Sequence, residues 1–238
     1  TQAKRLTDAA CPLRVHKVFL RFSNLGLAKN LSPNLLAELC GAAQTKEERS
    51  MIILASQSPR RQELMKLTGL PFTVRVADVD ETMDPALPVQ QEVARVSRLK
   101  ARTIAASAAP DDIVIAADTI VVIDGRELGK PHTQQDAFDM LRLLSGRTHE
   151  VVTVLSVCRG ERTESEAVVT RVTFRALTDE EIRAYIATGE PMDKAGAYGV
   201  QGKGALLVER LEGDFFNVMG LPVLRLSRML AQFGVKLL

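Results

Sequence analysis

The sequence predicts a mixed α/β domain beginning at Met51. Three patterns support this. Short apolar runs rich in Ile and Val alternate with stretches whose apolar residues recur at helical spacing. Turn residues separate these segments. Two pairs of strands are joined by tight Gly-containing turns, which makes the sheet mixed rather than purely parallel.

Taken in order, Ile52-Ile53-Leu54-Ala55 reads as a buried strand. Ser56-Gln57-Ser58 breaks it, and Pro59 suits the first position of a helix. Leu64, Leu67 and Thr68 continue that helix to Gly69. Phe72 to Val76 alternates like a strand. After a polar stretch from Asp78 to Pro88, a second helix places Val89, Val93, Val96 and Ile104 on one side. Ile113 to Ala117 is a second buried strand, and Ile120 to Ile123 runs into the hairpin signal Asp124-Gly125. Asp136 to Leu144 is a helix ended by Ser145-Gly146. Val151–Val157 and Ala167–Phe174 form a long hairpin around Arg159-Gly160-Glu161. Thr178-Asp179-Glu180-Glu181 is a capping box. Five glycines between Gly189 and Gly204 mark a loop with unusual backbone demands. Leu206-Leu207-Val208 is a strand, and Leu221 to Phe233 closes the chain as a helix.

Composition narrows the functional classes. The 238 residues are 46% apolar and 25% charged. Trp is absent and Tyr numbers only two, which disfavours aromatic stacking of single-stranded nucleic acid. No apolar run approaches the length of a membrane span, roughly 18 residues. Residues 1–50 hold 8 Lys/Arg against 4 Asp/Glu, net +4, and residues 51–238 hold 23 against 25, net −2. The body thus lacks the basic bias of a nucleic-acid binder. Cys11, Cys40 and Cys158 have no CxxC or metal spacing, as expected of a reduced, cytoplasmic setting. Residues 1–50 read as a non-catalytic extension, with a short helix opening at Ser32-Pro33 and a faint basic bias like that of a transit peptide. Residues 51–238 read as the catalytic domain.

Candidate chemistry sits at the breaks between elements. Arg60 and Arg61 open a helix, where they oppose its dipole; spacing alone fits either a phosphate site or a solvated helix start. Asp80-Glu81 and Asp118 follow strands, at the end of an α/β sheet where ligands bind. Carboxylates from two strand ends suit Mg²⁺. Lys100, Lys130 and Lys194 sit near the same breaks, each readable as a solvated lysine when taken singly. Together these acids and bases have the composition of a polyphosphate and metal site. No GxxxxGK[ST], GxGxxG or GxSxG is present, so P-loop, Rossmann and nucleophile-elbow chemistry lack their marks. His149 reads as a structural hydrogen-bonder and Cys158 as an inert core thiol.

Residues 51–233 resemble the Maf family of nucleoside triphosphate pyrophosphatases. Eight segments match in order, among them Ser56-Gln57-Ser58-Pro59-Arg60-Arg61, Ala117-Asp118-Thr119, Gly129-Lys130-Pro131, Asp193-Lys194-Ala195-Gly196-Ala197-Tyr198-Gly199-Val200-Gln201-Gly202 and Asn217-Val218-Met219-Gly220. The resemblance implies cleavage between the α- and β-phosphates. It also implies a divalent cation (Mg²⁺ or Mn²⁺) on Asp118 and Glu81, a twisted mixed sheet flanked by helices as two lobes around a deep cleft, of the Maf and inosine-triphosphatase kind, and a homodimer. It gives Asp118 the role of proton acceptor. Substrate contacts fall to Ser56, Arg60, Arg61, Glu81, Lys100, Lys130 and Lys194. Arg60, Thr119 and Gln201 correspond to the specificity set of the branch acting on dTTP and UTP. The sister branch acting on 7-methyl-GTP carries Trp after Ser-Pro, which this chain does not. The expected partner is a nucleoside triphosphate, with neither nucleic acid nor membrane. The rival reading is a nucleotide-binding regulator of cell division without turnover.

Overall fold

The structure, a computed structural model, describes residues 50–82, 84 and 87–238. The helix expected at Ser32-Pro33 and the rest of the basic extension lie outside the described residues. Among the described residues seven strands form one mixed sheet, built outward from a long central strand.

The central strand β3 (Ile113–Ile123) explains where the cleft opens. One edge pairs antiparallel with β5 (Thr148–Arg159) from Val114↔Cys158 to Val122↔Glu150. The other edge is shared by two short strands. There, β1 (Ile52–Leu54) pairs in parallel with Ile113–Ile115. At the far end β4 (Arg126–Leu128) pairs antiparallel with Val121–Ile123. Among the described residues, 116–120 therefore have no partner strand on that side. Beyond β1 lies β2 (Phe72–Val74), in parallel. Beyond β5 lie β6 (Arg162–Phe174) and β7 (Val208–Glu212), both antiparallel.

Apolar alternation along β3 is interrupted at the same place. On one face Ile113, Ile115 and Ala117 pack with α1 (Pro59–Lys66) and α6 (Val223–Gln232), through Leu64, Met65, Leu226 and Met229. Further along that face Val121 and Ile123 pack with α3 (Gln134–Leu144) and α4 (Asp179–Ile186). Thr119 stands between these two cores. On the opposite face α2 (Val89–Ala105) covers Val114 and Ala116 through Ala101 and Ile104, and Ile120 through Val93. Asp118 stands between those. A polar pair thus splits the apolar cover on both faces into separate core clusters, although residues 50–238 form one compact unit rather than the two lobes expected. Truncating a core leucine such as Leu226, fully buried, to Ala costs roughly 2–5 kcal/mol.

The local signals survive where backbone geometry enforces them. Asp124 and Gly125 both take positive φ, +50° and +72°. This is the type I′ turn that joins β3 to β4. The expected capping box forms, Thr178 with Glu181 at α4, and a second one, not expected from the sequence, joins Thr133 with Asp136 at α3. The Thr133 box starts α3 at Gln134, ahead of the expected Asp136. Other boundaries need correction. β3 does not stop at Ala117, because β5 pairs straight across Asp118↔Val154 and Thr119↔Thr153. Asp118 is therefore mid-strand, although it lies just past the end of β1. Helix α1 ends at Lys66, burying Met65 while Leu67 is 62% exposed. Leu206-Leu207 belongs to a 3-10 turn, Gly202–Leu207, and the strand starts at Val208. The closing helix is preceded by a separate short one, α5 (Phe215–Val218), capped by Asp214. Among the described residues no helix is long and apolar enough to cross a membrane.

Candidate active site

A cleft of about 1070 Å³ opens at the gap in the β3 edge. Ser56, Arg60, Arg61, Glu81, Lys100, Asp118, Thr119, Lys130, Lys194 and Gln201 all line it, so every residue to which the resemblance gives a site role faces one cleft, whereas Asp80 does not line it.

Asp118 and Lys100 form its floor. Lys100 leaves the buried side of α2 and places Nζ 2.8 Å from Asp118 Oδ1 and 2.8 Å from Glu81 Oε2. Both Lys100 and Asp118 are 8% exposed. A buried cation and a buried carboxylate thus compensate one another. Asp118 Oδ2 accepts no hydrogen bond from the described residues. The carboxylate is anchored by one oxygen and can accept at the other. The loop bearing Glu81 is tied to α2 by Glu92, buried at 1% exposure. Its Oε2 accepts from Asp84 N (3.0 Å), and its partner Arg95 donates to Thr82 O (2.7 Å). The Arg95 bond holds the Glu92 carboxyl below the usual range.

Arg61 forms the second wall. Its Nε donates to Gly220 O (2.8 Å) and its Nη2 to Thr119 Oγ1 (2.9 Å), and Nη1 is 3.5 Å from Ser56 Oγ. Burial lowers the Arg61 value while neighbouring Asp118 raises it. Arginine starts so high that the guanidinium stays charged. The first turn of α1 contains no acid, and Ser58 makes no side-chain cap. Unpaired N–H groups at this helix start and the guanidinium beside them make a corner whose charge suits an anion.

The far wall is the glycine-rich loop. Gly196 has φ +67°, and a Cβ there would lie 2.8 Å from Val121 Cγ2. Only glycine therefore lets the loop rest on β3. Gly196 N also donates to Gly129 O (3.0 Å), fixing the segment that carries the exposed Lys130. Asp193 bridges two cations, Arg60 Nη1 at 2.9 Å and Lys194 Nζ. Burial alone would raise the Asp193 carboxyl, but its bonds to Lys194 and Arg60 outweigh that and hold it low. Glu190 accepts from Lys203 N (3.1 Å) and Gly204 N (3.3 Å), which clamps the backbone beside the exposed Gln201.

Sequence reasoning missed Thr153, Asn217, Glu190, Glu92 and Arg95 as supports of this site. Only Asn217 carried a signal, since it lies in a matched segment. His149 is structural as expected. It is 2% exposed, its Nε2 lies 2.7 Å from Tyr198 Oη, and its ring packs edge-on against Phe174. Cys158 is buried at 1% exposure and its thiol is free.

A dTTP/UTP pyrophosphatase of Bacillus velezensis is 48% identical over 185 residues, covering 78% of this chain and 97% of that protein. One from Moorella thermoacetica is 51% identical over 189 residues, covering 78% and 96%. The structure of the Staphylococcus aureus Ham1 protein aligns at a TM-score of 0.38 and 16% identity, covering 52% of this chain and 72% of that one. The family profile described as Maf-like protein matches residues 51–233, and the chain belongs to that family.

Proposed function

We propose that the protein hydrolyses dTTP and UTP to the monophosphate and pyrophosphate, removing excess or non-standard nucleotides. The observation that carries this reading is the pairing, in one cleft, of a half-anchored carboxylate with clustered cations. Asp118 Oδ1 is held by Lys100 Nζ at 2.8 Å, and Arg60, Arg61, Lys130 and Lys194 line the surrounding walls. The names of the relatives support the same substrate class.

In this reading a water enters beside Asp118 Oδ2, which takes its proton as the oxygen attacks the α-phosphorus. The bond to the bridging oxygen breaks, and pyrophosphate leaves. Arg61, Lys130 and Lys194 offset the charge that grows on that leaving group. Lys100 keeps the carboxylate oriented between turnovers.

A divalent cation, Mg²⁺ or Mn²⁺, fits the residues present. Glu81 and Asp118 each give one oxygen to Lys100 Nζ at 2.8 Å, and the second oxygen of each has no partner among the described residues, so both carboxylates can still meet a hard cation. One or two carboxylates plus substrate phosphates are how Mg²⁺ is ordinarily held. Among the described residues no group of three or more His, Cys, Asp or Glu forms a closed metal cage. The remaining ligands of such a cation would come from substrate and water. When bound, the cation neutralises part of the triphosphate charge.

Gln201 is assigned to the base. Its carboxamide offers both a donor and an acceptor, matching the N3–H and carbonyl edge that uracil and thymine share. A cytoplasmic homodimer completes the proposal. The test is ³¹P NMR of UTP incubated with the protein and Mg²⁺. Pyrophosphate with UMP supports the reading; UDP with orthophosphate, or binding without turnover, overturns it.

A further inference from the structure

We propose that Thr153 is a positioning residue for Arg61, acting through Thr119. The inference deepens the pyrophosphatase reading of the cleft and rests on it. Thr153 lies on β5, is fully buried, and does not line the cleft. Its hydroxyl donates to Asn217 O at 3.0 Å. A hydroxyl has a single proton. In its 2.9 Å bond with Thr119 Oγ1, Thr153 must therefore accept. Thr119 then spends its own proton on Thr153, and its oxygen accepts from Arg61 Nη2 at 2.9 Å. The chain therefore has one direction, Arg61 to Thr119 to Thr153 to the Asn217 carbonyl.

Both ends of this chain are anchored. Asn217 is fully buried, and its Nδ2 donates to Val151 O (3.0 Å) and Thr170 Oγ1 (2.9 Å), which pins the turn to β5 and β6. The same turn supplies Gly220 O, which takes Arg61 Nε at 2.8 Å. Arg61 is thus gripped at two points that both trace to one buried turn. It needs such a grip, since α1 opens with two arginines and no acid against its dipole. A consequence is that the Thr119 proton is committed to Thr153, so Thr119 has none to donate to a ligand. What Thr119 contributes to specificity passes through the placement of Arg61, its methyl group or its remaining acceptor lone pair.

Thr153→Val keeps the shape and removes the hydroxyl, leaving the Thr119 proton without its acceptor. Thr153→Ser keeps the hydroxyl. The expected result is a loss of about ten- to hundredfold in kcat/KM for UTP with Thr153→Val, because misplaced charge stabilisation is costly, and a near wild-type value with Thr153→Ser. In an Arg61→Ala background the Thr153→Val loss should vanish, as residues acting in one network are not additive. An equal loss in that background, or none in the wild-type background, overturns the inference while leaving the proposed activity standing. If Thr153→Val fails to fold, Thr153→Ala, which also removes the hydroxyl, carries the same comparison. If the wild-type protein releases no pyrophosphate, the activity fails and the inference is decided without it. In protein labelled with ¹⁵N-arginine, the guanidinium signal that disappears in Arg61→Ala should show restricted Nη rotation in wild type and faster rotation in Thr153→Val. Unchanged rotation overturns it.

Discussion

Mild acid should destabilise the fold through one residue, His149. Its imidazole is enclosed by Tyr198 and Phe174, with ring centroids 5.3 and 5.1 Å away, and its Nδ1 has no partner among the described residues. Burial lowers its pKa from 6.5 to about 4. Above pH 6.5 both folded and unfolded chains carry it neutral, and it contributes nothing to the pH dependence. Below pH 6.5 the unfolded chain binds a proton that the folded chain refuses until about pH 4. Stability therefore falls across that window. The full gap corresponds to roughly 3 kcal/mol, of which about 2 kcal/mol is already lost at about pH 5. Carboxylates held low, such as Glu181 at about 2 beside Arg175, lose their contribution only at lower pH. The assay is urea unfolding at neutral pH and at about pH 5 for wild type and His149→Gln, whose amide can still bond Tyr198 but does not titrate. Wild type should lose about 2 kcal/mol more than the variant between the two pH values. Equal losses would refute the argument that His149 is buried neutral.

Two further outcomes follow from the cleft. Gln201→Ala should narrow the preference for UTP over ATP in kcat/KM, because a base edge matched by an amide discriminates through the polar groups a wrong base leaves unpaired; an unchanged ratio would show that Gln201 only braces its loop. A chain starting at Met51 should fold and hydrolyse dTTP at close to the full-length rate, since the family match and all the site residues named above lie beyond residue 50; a folded but inactive product would place the extension in the site.

The fold is legible where short-range chemistry decides it. Asp124-Gly125 and Thr178 to Glu181 each dictate a local geometry that survives in the tertiary structure. The ends of β3 and α1 are not legible in this way, because pairing and burial, not propensity, settle them. Asp118 is polar and reads as a break, yet β5 carries the ladder past it. Leu67 is apolar and reads as core, yet Met65 takes that place. The site is legible as separate positions because charged residues at loop starts are visible one at a time. Its supports are not. Thr153 is one β-branched residue in a run of valines, and nothing local reveals that its hydroxyl meets Thr119 and the Asn217 carbonyl. Glu190 and Glu92 likewise look like surface acids until the loops that they clamp are in place.

The central claim is that Asp118 activates the attacking water. The most direct measurement compares pyrophosphate release from UTP and Mg²⁺ by wild type and Asp118→Asn. The substitution keeps the side chain's shape and an oxygen for Lys100 Nζ, 2.8 Å from Oδ1 in the wild-type protein, while removing the base. Turnover should fall about 10²- to 10⁴-fold while the protein still folds and binds UTP, with Glu81 left as the carboxylate partner of Lys100. A folded Asp118→Asn protein that releases pyrophosphate at close to the wild-type rate would contradict the account.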